Sequence, residues 1–439
     1  MMLKHSLLNR TTTSYIGSVF SSGRSLSSPL LSASSSTTTT TRSNVKYYSS
    51  TVGSEGITQD SSTSTFTSAT SIKKKIPHIN DLNNGGIIDH SKNVLYEKLT
   101  DQNKKLIDGI SNSHRVELAR LITLIESSKE DHQQQARLII SILMQIAKKE
   151  EESRGKHGKP KSFRIGISGP PGAGKSTFIE AFGRYLTTKL NKKVAVLAID
   201  PSSVRTGGSI LGDKTRMVEL SKDPNAYVRP SSSRGSLGGI TKSTSDTMVL
   251  CEGAGYDVII VETVGVGQSE VSVEEMVDIF MLLVPPANGD ELQGLKKGIV
   301  EMSDLVVVNK ADGELLPRAR FTVAEYMSAF KVQRPKSENW RPKVLSCSSL
   351  TNENIDTVWN TMNEYQTLMI GTGELGEKRS NQKQTWMWRY IEDELMTRLH
   401  SSKSLNQVIP ILEQQVKQGE ISPSLAADQI IKMFMSTKY

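Results

Sequence analysis

The chain has 439 residues, enough for two or three domains or for one domain with long extensions. Of its eight excess positive charges, five (Lys4, Arg10, Arg24, Arg42 and Lys46) precede the first acidic residue, Glu55, so the rest of the chain is nearly balanced and gives little reason to expect nucleic-acid binding. Two cysteines, Cys251 and Cys347, exclude a disulfide framework and fit a reducing compartment, and the best apolar run, residues 279–284, is too short to span a membrane.

Residues 1–70 are rich in Ser and Thr, basic, and almost free of acids, with scattered Leu3, Leu7, Leu8, Ile16 and Phe20. This composition predicts a mitochondrial transit peptide running into a low-complexity segment. Within residues 90–155, apolar positions recur at helical spacing (Leu118, Leu121, Ile122; then Leu138, Ile139, Ile142, Leu143), predicting an N-terminal helical region. A charged, Gly-containing linker over residues 148–161 follows.

Residues 160–365 alternate short apolar runs with helical segments. Strands are predicted at 163–167, 194–199, 258–261, 279–284, 305–308 and 344–346. The alternation implies an α/β fold with a mostly parallel sheet flanked by helices, binding ligands beyond the carboxyl ends of its strands. Right after the first strand stand Gly169, Pro170, Pro171, Gly172, Ala173, Gly174, Lys175 and Ser176, then Thr177. They fit G-x-x-x-x-G-K-[ST], the P-loop. Its glycines let backbone N–H groups surround phosphate oxygens, and the following helix adds a partial positive charge. Lys175 is placed to reach the β- and γ-phosphates, and Ser176 to hold Mg²⁺.

Two acids end predicted strands: Asp200 and Glu262. Glu262-Thr-Val-Gly265 stands where D-x-x-G is usual, its acid facing the metal and the Gly265 amide facing the γ-phosphate. Asp213, in the polar loop 205–216, is a further metal-ligand candidate. Lys175, Asp200 and Glu262 are the expected catalytic groups. Val266 occupies the place of the water-orienting Gln of Ras-type enzymes, which predicts slow hydrolysis unless a partner supplies a group. The loop 285–298 is polar, charged and Gly-rich, and reads either as a solvated connection or as a nucleotide-dependent switch.

Asn309, Lys310 and Asp312 follow a strand directly and fit N-K-x-D. A carboxylate at Asp312 can accept from guanine N1–H and its exocyclic amine, a donor pair that adenine lacks. Ser348, Ser349 and Leu350 follow the next strand and offer backbone N–H groups to the base, Ser349 standing where Ala is usual. Residues 380–439 return to a helical pattern around Trp386, Trp388, Ile391, Leu395 and Leu399, an amphipathic arm that either completes the core or buries against a second subunit.

Taken together, the strings at 169–180, 200–203, 206–217, 261–270 and 289–294 resemble the MeaB and methylmalonic aciduria type A protein family, a SIMIBI-class group of P-loop GTPases also labelled ArgK-type. The resemblance covers roughly residue 95 to the C-terminus. It implies GTP/GDP and Mg²⁺ as ligands and a homodimer built through the C-terminal arm. It also implies a matrix location and a chaperone role toward methylmalonyl-CoA mutase: gating adenosylcobalamin delivery and protecting or reactivating the mutase. The cobalamin adenosyltransferase is a further implied partner. By the same resemblance Asp200, Asp213 and Glu262 surround the metal, and Asp290, Gln293, Lys296 and Lys297 belong to a third switch that addresses the mutase. No D-x-H-x-x-G motif occurs, so cobalamin is expected on the partners. Two rival readings remain: an ATP-dependent kinase or ATPase linked to amino-acid transport, and a metallochaperone GTPase. The N-K-x-D sequence argues against the first, and the lack of a Cys/His tract against the second.

Overall fold

The computed structural model describes residues 94–111, 114–155, 158–200, 217–232, 237–263, 269–286 and 297–436. Four helices come first: α1 (Val94–Glu97), α2 (Asp101–Ser111), α3 (Arg115–Ile125) and α4 (Glu130–Ser153). The α/β body follows as β1 (Phe163–Ser168), α5 (Lys175–Thr188), β2 (Val194–Asp200), α6 (Val218–Lys222), β3 (Ala226–Ser232), α7 (Leu237–Gly253), β4 (Val258–Thr263), α8 (Ser269–Glu274) and β5 (Ile279–Val284). It closes with α9 (Lys297–Glu301), β6 (Leu305–Val308), α10 (Leu316–Val332), β7 (Lys343–Ser346) and α11 (Ile355–Thr372). Three helices end the chain: α12 (Glu374–Ser401), α13 (Lys403–Gln418) and α14 (Pro423–Ser436).

The seven strands form one sheet in the order β3-β2-β4-β1-β5-β6-β7, and every pairing is parallel. Parallel strands need crossover helices, which cover both faces, so central strands must be apolar on both sides. Every residue of β1, β4, β5 and β6 is buried. On one face, Phe178 and Phe182 of α5 stack at 5.3 Å and pack with Trp359 of α11. Burying each such ring contributes about 1.5–3 kcal/mol. On the other face α7 lies between the sheet and the N-terminal helices, whose Leu118, Leu121, Ile122, Ile139 and Ile142 complete that core.

Six of the strands coincide with those read from the sequence; β3 was not among them. Its sequence, AYVRPSS, contains Pro230, which breaks the strand signature. Proline lacks the N–H that a central strand needs, but β3 pairs only with β2 and sits at the sheet edge, where one side makes no ladder.

The helical arm begins earlier than its apolar pattern suggested. α12 runs 28 residues from Glu374, and only Leu375, Gln382 and Trp386 along it are fully buried. Beyond Trp386 the apolar Met387, Trp388, Ile391, Leu395 and Met396 stand exposed. The arm docks along one face, where Tyr390 also hydrogen-bonds with Ser245 (2.6 Å) and Asp246 (3.0 Å) and Glu394 pairs with Arg137 (3.5 Å), while its opposite face carries an apolar row on the surface. No described helix is long and apolar enough to cross a membrane.

Candidate nucleotide site

β1 lies between β4 and β5, so its carboxyl end opens at the middle of the sheet. The chain leaves it through Gly169, where a side chain would strike the carbonyl oxygen of Leu283 at 1.9 Å. The loop turns back at Gly174, the residue before α5, with φ 86° and ψ 31°. That left-handed conformation favours glycine, and a Cβ there would meet Asn309 Nδ2 at 2.8 Å. Lys175 starts the helix, and its Nζ donates to the carbonyl oxygens of Gly169 (2.7 Å) and Pro170 (3.3 Å). The ammonium thus lies across the loop whose amides would receive phosphate. Pro171 and Gly172 are exposed at its rim, Ala173 is buried beneath it, and Thr177 is exposed on the first helical turn.

Ser176 Oγ donates to Glu262 Oε1 at 3.3 Å. Glu262 is 8% exposed at the end of β4. A hydroxyl and a carboxylate are the hard oxygen donors that Mg²⁺ prefers, and Mg²⁺ usually takes its other ligands from water and phosphate. The pair therefore fits a Mg²⁺–nucleotide complex. Among the described residues no cluster of three or more His, Cys, Asp or Glu could hold a metal by itself.

Asn309 is 1% exposed and joins two loops. Its Nδ2 donates to the Ala173 carbonyl oxygen at 3.0 Å. Its Oδ1 accepts from the Ser349 N–H (3.1 Å) and from Ser349 Oγ (2.7 Å). The asparagine thus positions the P-loop against the 348–350 loop. Asp312 accepts a hydrogen bond from Ser348 Oγ, and the same oxygen accepts from the Thr351 N–H at 3.1 Å. Lys310, with φ 59°, is exposed, and its Cε would lie 3.7 Å from a Cβ on Gly174. Leu350 is 80% exposed. Burial pushes the Cys347 thiol up to about 12, so it remains a neutral donor toward Asn309 Oδ1 at 3.7 Å.

The structure thus brings together Lys175, Ser176, Glu262, Asn309, Lys310, Asp312 and residues 348–350. Asp200 ends β2 at the same edge of the sheet, although its side chain lies outside the described residues, as does that of Lys297 at the start of α9. Asp213, Gly265, Asp290, Gln293 and Lys296, together with Val266, also lie outside them.

Sequence reasoning missed two supports. Thr263 Oγ1 donates to Ser168 Oγ at 2.9 Å, tying the ends of β4 and β1 under the site. Glu180 of α5 accepts from the N–H groups of Glu219 (3.0 Å) and Leu220 (3.1 Å), anchoring the short helix after the 201–216 segment. The only signal for the first was a small polar residue ending each strand, and for the second an acid on the helix that follows the P-loop.

A P-loop at the end of a central strand, in an all-parallel sheet with an N-K-x-D turn alongside, defines the class: a P-loop GTPase. The family model described as "Methylmalonyl Co-A mutase-associated GTPase MeaB" matches residues 118–404. The chain is 49% identical over 344 residues to the methylmalonic aciduria type A homolog, mitochondrial, of Mus musculus, covering 77% of this chain and 82% of that protein. It is 44% identical to the Caenorhabditis elegans protein of the same description, covering 84% and 91%. The crystal structure of an LAO/AO transport system kinase superposes with a TM-score of 0.59 at 32% identity, covering 77% of this chain and 99% of that one. The chain belongs to the MeaB family of GTPases.

Proposed function

We propose that this protein is a mitochondrial matrix GTPase whose Mg²⁺-dependent cycle controls methylmalonyl-CoA mutase, gating adenosylcobalamin delivery and protecting or reactivating the mutase. The observation that carries the reading is the match of residues 118–404 to a mutase-associated GTPase family, on a chain whose N-K-x-D turn is hydrogen-bonded to the P-loop and to the 348–350 loop. The mitochondrial descriptions of relatives 44–49% identical, and the acid-free, Ser/Thr-rich start of the chain, support the location.

In this reading the P-loop amides and Lys175 bind the β- and γ-phosphates, and Ser176 and Glu262 orient Mg²⁺, with Asp200 and Asp213 as further groups around it. Bound Mg²⁺ would neutralise charge on the phosphate oxygens during in-line attack by water. Asp312 selects guanine, and Asn309 keeps its loop in register with the phosphate site. Residues 289–297, with Asp290, Gln293, Lys296 and Lys297, form the switch that addresses the mutase. The exposed row Trp388, Ile391 and Leu395 supports a homodimer through the arm, because an apolar stripe on a long helix is costly to leave in water.

The test is GTP turnover of the full chain with and without methylmalonyl-CoA mutase. We expect slow basal turnover that rises at least about tenfold with the mutase, since groups supplied in trans are worth ~10³–10⁵ in other GTPases. No complex and no stimulation would remove the chaperone reading while leaving the GTPase assignment intact.

A further inference from the structure

In the loop after β7 the Cys347 N–H donates to the Val308 carbonyl oxygen (2.9 Å), the Ser348 N–H to that of Glu353 (3.0 Å), and the Thr351 N–H to Ser348 Oγ (3.1 Å). The Ser349 N–H is spent differently. It donates across to the next loop, to Asn309 Oδ1 at 3.1 Å. The partners fix which way that carboxamide points. Its Nδ2 faces the Ala173 carbonyl oxygen, which can only accept, and its Oδ1 faces a peptide N–H, which can only donate.

A carboxamide oxygen has two lone pairs. Asn309 Oδ1 nevertheless meets the Ser349 hydroxyl at 2.7 Å, the Ser349 N–H at 3.1 Å and the Cys347 thiol at 3.7 Å. The hydroxyl bond is the shortest, and a thiol is a weak donor. All three residues are buried: Asn309 is 1% exposed, Ser349 8% and Cys347 0%. An acceptor this deep must keep a good donor. With serine at 349 it does so even when the N–H is withdrawn. With alanine there, withdrawing the N–H would leave Oδ1, among the described residues, with the thiol alone. The Ser349 N–H is therefore the spare donor of the joint.

Guanine carries an acceptor that could receive it. Its O6 stands beside the N1–H assigned above to Asp312, and Asp312 is tied to the same loop by Ser348 Oγ. We propose that Ser349 is a positioning residue for guanine: its hydroxyl holds Asn309, so that its N–H can turn from Asn309 Oδ1 to O6 of the base without orphaning a buried acceptor. The proposal deepens the guanine reading of the N-K-x-D turn and rests on it. Asn309 keeps its bond to Ala173 throughout the exchange, so the P-loop stays in register while the base docks. Without the hydroxyl, the base and Asn309 compete for one N–H.

The experiment is titration calorimetry of the full chain with GDP, ADP and 6-thioguanosine diphosphate. In the last, a poorly accepting sulfur replaces O6, while the N1–H and the exocyclic amine remain. Ser349→Ala is expected to weaken GDP about five- to tenfold, the scale of one net hydrogen bond, and the thio analogue by less than about twofold. Ser349→Thr, which restores a hydroxyl, is expected to return GDP to within about twofold of wild type. The melting temperatures of both variants report that they fold. Unchanged GDP affinity in folded Ser349→Ala overturns the proposal. So does an equal loss on GDP and on the thio analogue, which would make the hydroxyl a support of the loop alone. Both outcomes leave the guanine reading intact where the wild type prefers GDP to ADP. A wild type that binds ADP as tightly as GDP overturns that reading and this proposal with it.

Discussion

At the carboxyl end of the sheet the described side chains that meet are mostly small and neutral, such as Ser168 with Thr263 and Asn309 with Ser349, with Glu262 and Asp312 each taking a serine hydroxyl. At the amino end they are large and charged. Asp278, fully buried, accepts the Arg164 N–H (2.9 Å) and two bonds from Arg379 (2.8 and 2.6 Å). Glu252 takes a bidentate pair from Arg164 at 2.8 and 2.9 Å. Arg379 belongs to α12, so this network fastens the helical arm to the base of the sheet. The contrast follows from what each end has to do. A phosphate site needs backbone donors and one cation presented to an incoming anion, so bulky pre-paired charges would obstruct it. An anchor needs charges that satisfy one another and exclude water.

If that contrast is right, damage at the base should cost folding and damage at the loops should cost chemistry. The largest effect is expected for Arg379→Ala, which leaves the buried Asp278 without its cation, held only by the Arg164 N–H, and Glu252 with Arg164 alone. It should lower unfolding free energy by about 3–5 kcal/mol, measured by urea denaturation, while the folded fraction binds GTP normally. Lys175→Ala should do the reverse, cutting GTP turnover about 10²–10³-fold with the melting temperature nearly unchanged. Asp312→Ala should weaken GTP about 100-fold, and ATP, which offers no matching donor pair, hardly at all. If the wild type binds ATP as well as GTP, the guanine assignment of this loop fails.

An effect confined to low pH is an acid dependence seated at the base. Burial by itself would raise the Glu252 pKa, but Arg164 and Arg379 outweigh it and hold the carboxyl at about 2, against an ordinary 4.5. A depressed carboxyl contributes stability that is complete above the ordinary value and is lost as pH falls from about 4.5 towards 2. The slope from this group is at most about 1.4 kcal/mol per pH unit. Glu252→Gln should remove that component of acid unfolding. A loss beginning near neutral pH would place the sensitive group elsewhere.

The site end was the more legible of the two in the sequence, because phosphate loops depend on local order. Residues 169–176 form one turn, and its strand and helix lie directly on either side. The N-K-x-D turn at residues 309–312 likewise follows its strand without a gap. What the pattern did not show is how these pieces are joined. The Asn309 side chain ties the P-loop to Ser349, residues 136 and 40 positions away in the chain. Ser349 in place of alanine then gains meaning, since its hydroxyl reinforces the joint. β3 went unread because Pro230 violates the strand pattern, and only its place at the sheet edge makes the violation harmless.

The sequence by itself determined a mostly parallel core, through uninterrupted apolar runs that only a sheet covered on both faces can bury, and the nucleotide chemistry, through motifs whose residues act within one turn of each other. The amino-end anchor was decided by tertiary structure alone. Its partners are 88 to 127 residues apart, and a lone Arg164 at the start of an apolar strand carries no sign of the Glu252, Asp278 and Arg379 that neutralise its surroundings. Charge pairing acts over a few ångströms in space and leaves no periodicity along the chain, so it becomes visible only once the fold has closed that distance.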